Sequence, residues 1–158
     1  MIHGILNIIL FAIKKAGIYM ENIIELLIGF RDKAVVTRGF LDTGNNLYDR
    51  VTGKPIVVAA PDIIKKLYSK TYGSILSFYF NGSTGEIKDL DNFQNRIHMI
   101  SYSTISRKDN VMPAFDCDFF FLGSKLIKAK PLIGMSMVAF GNEQKSYSVL
   151  LHNSFSLY

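Results

Sequence analysis

Cysteine is almost absent. Cys117 stands alone, so no disulfide can form within the chain, and a reducing compartment is the simpler reading. Nor is it a good nucleophile, because in Phe115-Asp116-Cys117-Asp118-Phe119 the neighbouring acids raise a thiol pKa. His3, His98 and His152 are far apart, and no His-x-x-x-His or Cys-x-x-Cys spacing occurs, so no metal site is expected. There is no Gly-x-x-x-x-Gly-Lys-Ser/Thr loop for phosphates and no Gly-x-Ser-x-Gly elbow for a serine hydrolase. The net charge of +5 comes without an aromatic-plus-basic RNA motif, a zinc finger or a helix-turn-helix pattern. It reads as solvated lysines or as attraction to an anionic membrane, with no nucleic acid as partner. Repeats, low-complexity stretches and interdomain linkers are missing too.

What is present is a globular chain of 158 residues, 49% hydrophobic and 20% charged, a size at which one core is feasible. Twelve Phe and eight Tyr, with many Ile and Val, favour strands, and twelve Gly supply turns. Segments 22–30 and 33–41 read as a hairpin turning at Arg31-Asp32. A strand over 56–60 follows the turn Gly53-Lys54-Pro55, and Pro61-Asp62 opens a short helix with Ile63, Ile64, Leu67 and Tyr68 on one face. Further strands are expected over 75–80, 96–105, 111–122, 131–134 and 147–152, with turns at 81–85 and 106–110. Together these predict a mainly β architecture, barrel-like or sandwich-like, with one or two short helices.

The stretch Met1 to Ile13 is apolar and ends in Lys14-Lys15. It is shorter than the roughly 20 residues a bilayer span requires, and it lacks the pattern of a signal peptide. Two readings stand: the cytoplasmic end of a membrane helix, or a short amphipathic or core helix.

Chemistry concentrates at Gly39-Phe40-Leu41-Asp42-Thr43-Gly44-Asn45. An apolar strand delivers Asp42 at its end, Thr43 can bond to neighbouring backbone, and Gly44 allows a tight turn with room for a second copy and a substrate. Aspartic proteases use two such carboxylates sharing a proton, one acting as base toward water and the other polarising the peptide carbonyl. The chain has one Asp-Thr-Gly, so the second loop must come from another copy across a twofold axis. A given tripeptide arises about once in several thousand positions, which leaves an ordinary β-turn as a competing reading of the triad. Another is the phosphate loop of sugar kinases and actin-like ATPases, but those folds need two large lobes. The acidic pairs Asp89/Asp91 and Asp116/Asp118 read as solvated loops or strand edges.

Beyond the triad the segment continues as Asn45-Asn46-Leu47-Tyr48-Asp49, then Thr52-Gly53-Lys54-Pro55-Ile56. This resembles the sporulation sigma-E factor processing peptidase family of endospore-forming bacteria, whose run is Asp-Thr-Gly-Asn-x-Leu-Tyr-Asp-Pro followed by Thr-Gly-Lys-Pro-Val. Arg96-Ile97, Ile100, Tyr102, Pro113-Ala114-Phe115 and Leu150-Leu151-His152 are similar to it as well. The resemblance covers about Tyr19 to the C-terminus.

It implies a membrane-anchored aspartic protease whose cytoplasmic domain is similar to a retroviral protease subunit. That domain acts as a homodimer, without metal or organic cofactor, and removes the pro-peptide of the sigma-E precursor in the mother cell. A signalling protein from the forespore activates it. On this reading residues 1–18 are a membrane-proximal stub and 19–158 the protease domain, with Asp42 catalytic and Thr43 and Gly44 supporting its loop. Arg50 departs from the family's Pro, and Ser106 stands where Gly is expected in a hairpin that could cover the substrate. Tyr102, Thr104 and Asn110 are that hairpin's candidates for substrate contact. Pro131-Leu132-Ile133-Gly134 is, by analogy with retroviral proteases, the late apolar strand that ends at a Gly beside the active-site loop, or else a core strand turning into a helix, with no catalytic part. The competing function is a non-catalytic module of the same fold that binds a sigma factor or a membrane partner.

Overall fold

A computed structural model describes residues 22–73, 76, 96–106, 108, 110–137, 140 and 147–158. The N-terminal apolar stretch lies outside the described residues, as do the strand and turn expected over 75–85 except for Leu76, which is helical. Strands β1 (Ile23–Phe30) and β2 (Lys33–Leu41) form the expected antiparallel hairpin, with Arg31 at the turn in the left-handed region (φ 52°). Then follow β3 (Ile56–Ala59), helix α1 (Pro61–Leu67), β4 (Ile97–Tyr102), β5 (Asn110–Asp116), β6 (Phe119–Leu122), β7 (Lys125–Leu126), β8 (Leu132–Met135) and β9 (Val149–Leu151). A 3-10 helix, Asn153–Leu157, comes after β9. Among the described residues no helix is long and apolar enough to cross a membrane.

The strands join one sheet in the order β4-β5-β8-β3-β9-β2-β1-β6-β7. Two pairings, β2 with β9 and β3 with β8, are parallel and the rest antiparallel. Among the described residues the architecture is therefore mainly β, an open mixed sheet with the short helix α1 against it.

One expectation changes. The strand expected over 111–122 is two strands, β5 and β6, at opposite ends of the sheet. The chain crosses over at Cys117-Asp118, where the Asp118 amide donates to Gly29 O (2.8 Å) and its carboxylate accepts from the Arg31 amide and from Arg96 (2.7 Å). Of the two readings of 131–134, the core strand is the one that forms. β8 pairs with β3 and β5, all four of its residues are buried, and β9 takes the place next to β2.

Strand alternation sorts the central side chains onto two faces. On one lie Leu26, Ile28, Phe30, Val57, Ala59, Phe115, Ile133, Val149 and Leu151, clustered with Ile63, Ile64 and Leu67 from α1 and with Tyr68 just after it. Each such burial contributes roughly 1.5–3 kcal/mol. Tyr68 lies between Phe30 and Phe115, both 4.7 Å away by ring centroid, and its hydroxyl donates to Asp116 O (3.0 Å). Helix α1 has Pro at its start and Lys65 and Lys66 in its last turn, where cations suit the helix dipole. The second face carries a smaller cluster of Ile56, Ile100, Met112, Ala114 and Leu132, with Leu47, Val58 and Tyr102 against it.

Polar bonds tie the β4–β5 hairpin to the turn after Asp42. Asp49 accepts from the amides of Val51 and Thr52 (3.1 and 3.3 Å) and from the Thr52 hydroxyl (2.6 Å). His98 on β4 lies between two carboxylates, Nδ1 3.3 Å from Asp49 and Nε2 3.2 Å from Asp116. Lys54 reaches Asp116 from the other side at 2.7 Å. Burial alone would raise both carboxyls. The bonds from Lys54 and His98 outweigh it at Asp116, and those from Thr52 and Val51, with the charge of His98, outweigh it at Asp49. Both stay below the usual carboxylate range.

A carboxyl held below its unfolded value of about 3.9 stabilises the fold above about pH 4 and loses that contribution as pH falls through its folded value. Denaturant titrations should therefore show the contribution of these two carboxyls constant above about pH 5 and falling below about pH 4, added to a decline that begins below about pH 6.5 as the unfolded chain protonates His152 while burial keeps it neutral in the fold. Asp116→Asn should cost about 1 kcal/mol at pH 7 and make the acid limb shallower. A second prediction concerns Gly39, where a Cβ would lie 2.8 Å from both Leu151 Cγ and Leu26 Cδ1. Gly39→Ala should destabilise by about 1–3 kcal/mol, read by thermal unfolding, because it pushes β9 off β2.

Candidate active site

Alternation along β2 puts Gly39 and Leu41 toward the main core and Phe40 and Asp42 on the opposite face. The neighbouring strand agrees with this assignment. Leu151 is buried in the main core, whereas Leu150, paired with Phe40, is half-buried on the second face. Val58 pairs with Leu150 from the other side, and Tyr147 stacks on Phe40 at 5.2 Å. Asp42 thus stands on the face that carries the half-buried apolar floor of Phe40, Leu150 and Val58, and Val58, with Leu47 and the hairpin residue Tyr102, packs against the second cluster.

The loop that follows Asp42 is fixed by its own bonds and by the segment after β9. The Gly44 amide donates to Asp42 Oδ1 (2.9 Å) and the Asn45 amide to Asp42 O (3.0 Å), closing a tight turn. A Cβ on Gly44 would sit 3.2 Å from Asp42 Oδ1, so glycine leaves the carboxylate its space. The Asp42 amide donates to Leu151 O (3.3 Å), and the Asn153 amide donates to Asn45 O (2.9 Å). Asn153 Nδ2 also donates to Asn46 Oδ1. Asn45 is buried: its Nδ2 donates to Ile56 O (3.0 Å), and its Oδ1 accepts from the Leu47 amide (3.2 Å). Its side chain therefore does the work of a missing piece of ladder, binding the loop to β3.

His152 sits between the two gripping residues and is fully buried. Its Nδ1 accepts from the Ser154 amide (3.1 Å) and lies 2.8 Å from the Ser154 hydroxyl, capping the 3-10 helix. Tyr48 packs edge-on against the ring at 4.4 Å. Burial holds the imidazole below the ordinary histidine pKa.

Among the residues singled out from sequence, Asp42, Thr43 and Gly44 form this turn, with Asp42 half-buried and the other two exposed. Tyr102 pairs with Asn110 where the hairpin's ladder ends, and Tyr102 shares its apolar cluster with Leu47, five residues past Asp42. Thr104 lies in the exposed tip, 3.4 Å from the Ser106 hydroxyl. Asp116 and Asp118 are ion-paired structural carboxylates, with Lys54 and Arg96 respectively. Cys117 is buried and its thiol is pushed up to about 12 by that burial, which makes it inert. Among the described residues, no three His, Cys, Asp or Glu side chains converge as metal ligands. Sequence reasoning gave no role to Asn45, Asn153 or His152. The run Leu150-Leu151-His152 was a signal, but the contacts it makes span more than a hundred residues.

The chain also resembles known proteins at the level of its family. The model of a peptidase family described as sporulation factor SpoIIGA matches residues 1–155, which takes in the N-terminal apolar stretch as well as the sheet. No curated protein and no solved structure matches the chain. The Asp-Thr-Gly turn and the segment that grips it therefore lie inside a family match that spans nearly the whole chain, and the chain belongs to the sporulation factor SpoIIGA family, a family of sporulation-related proteases.

Proposed function

We propose that the chain is one half of a homodimeric aspartic endopeptidase, a retropepsin-like subunit in which Asp42 is the catalytic carboxylate. The observation that carries this reading is Asp42 itself: a half-buried carboxylate at a strand end, on the sheet face away from the core, beside an apolar floor. One loop supplies one carboxylate, and the twofold-related copy supplies the other. Two carboxylates brought that close share a proton. One takes a proton from the attacking water, and the other donates to the carbonyl oxygen of the scissile bond. The tetrahedral intermediate collapses as the leaving nitrogen is protonated, so the proton first taken from water ends on the amine. The mechanism requires no metal or organic cofactor.

On this reading the floor of Phe40, Leu150 and Val58 accepts an extended peptide, and Tyr102, Asn110 and Thr104 of the β4–β5 hairpin are its further contacts. The substrate is the sigma-E precursor, whose pro-peptide is removed. The protein works at the mother-cell membrane, held through its N-terminal side, with the protease domain in the cytoplasm. An activating protein from the forespore controls it.

The test is cleavage of a co-expressed sigma-E precursor, with the activating signal present. Asp42→Asn should lower cleavage by about a thousandfold or more. Its unfolding midpoint should barely move, since Asn keeps an acceptor for the Gly44 amide. Unchanged cleavage in that variant rejects the aspartic mechanism. Sedimentation over a concentration range should show a monomer–dimer equilibrium. A wild type that captures the precursor without ever cutting it would make the chain a binding module instead.

A further inference from the structure

We infer that His152 is a positioning residue for the Asp42 loop, holding residues 151–153 in register by keeping its Nδ1 free of a proton as the acceptor that caps the closing helix. The inference rests on the Asp42 reading of the site. It starts from a buried polar atom: among the described residues His152 Nε2 has no hydrogen-bond partner, although the ring is wholly enclosed. A buried imidazole without a partner on one nitrogen is costly, and what offsets that cost is the bonding of its other nitrogen.

That nitrogen accepts the Ser154 amide, one of the orphan donors at a helix start. A nitrogen that accepts cannot carry a proton, so the proton of the neutral ring is on Nε2, within the enclosure closed by Tyr48. The consequence reaches Asp42 through the backbone. Leu151 O, one residue before His152, accepts the Asp42 amide, and Asn153, one residue after, binds Asn45 and Asn46. With the ring anchored, the carbonyl on one side and the amide on the other are fixed relative to the catalytic turn. With the cap lost, the 3-10 helix frays and both grips loosen, and an error of about 1 Å at a catalytic group can cost about a hundredfold in rate.

Two substitutions separate the acceptor from the ring. His152→Phe keeps a ring against Tyr48 and removes the acceptor, whereas His152→Asn removes the ring and keeps an acceptor near the Nδ1 position. In the full chain cleaving its precursor, His152→Phe should lower kcat by about 10- to 100-fold with KM within about twofold, and His152→Asn should stay within about threefold of wild type. Wild-type kcat in His152→Phe overturns the inference, as does a His152→Asn variant that is as slow as His152→Phe. Nitrogen NMR of the unmodified protein gives a reading that survives a misfolded variant: an unprotonated Nδ1 and protonated Nε2 are expected, and the opposite tautomer overturns the inference. Asp42→Asn run alongside keeps the two ideas apart. If it cleaves normally the aspartic reading falls, and if it is dead while His152→Phe is normal only the role of His152 falls.

Discussion

Everything at the candidate site hangs on the parallel contact between β2 and the segment that begins with β9. A strand end is an unsettled place for a functional side chain, because the ladder that fixes the backbone stops there. Here the ladder is prolonged past Leu41 by the bond from the Asp42 amide to Leu151 O, then by the bonds of Asn153 to Asn45 and Asn46. The contact is possible because Gly39 has no side chain where Leu151 packs. One missing methyl group and a handful of amide bonds thus set where the carboxylate stands.

The sheet divides its labour by parity. Residues of one parity in β2, β3, β5, β8 and β9 build the main core with α1, and residues of the other parity build the smaller cluster and the exposed floor that carries Asp42. A register slip of one residue in β9 would exchange Leu150 and Leu151, burying the floor and opening the core. The same pattern that stabilises the fold therefore protects the geometry of the site. The polar network around His98 acts at a different point, joining the hairpin to the turn at 49–54 through charges that share partners, so that neither element moves alone.

Local features were legible in the sequence. The first hairpin, the β3 strand and the face of α1 follow from alternation, turn residues and a Pro at a helix start, all of which act over a few residues. The Asp42-Thr43-Gly44 turn was legible for the same reason. What could not be read was partnership at long range. Segment 131–134 and segment 147–152 are both short apolar strands, and nothing local says which of them lies beside β2. The choice is made by Leu151 fitting against Gly39, and by Asn153 meeting a loop 107 positions earlier. The break at Cys117-Asp118 was hidden likewise, because the apolar pattern runs on across it and the turn is set by Arg31 and Arg96. The position of Asp49, Asp116 and His98 in one cluster came from three elements that carry no common motif.

The separation of 107 positions between Asn46 and Asn153 also has a meaning in time. A ribosome adding about 5–20 residues per second makes the Asp42 turn roughly 5–20 seconds before the segment that will hold it. Throughout that interval the growing polypeptide carries Asp42 on a strand whose parallel neighbour does not yet exist. An enzyme that cuts proteins is thereby kept unassembled during its own synthesis, by the order of its strands alone.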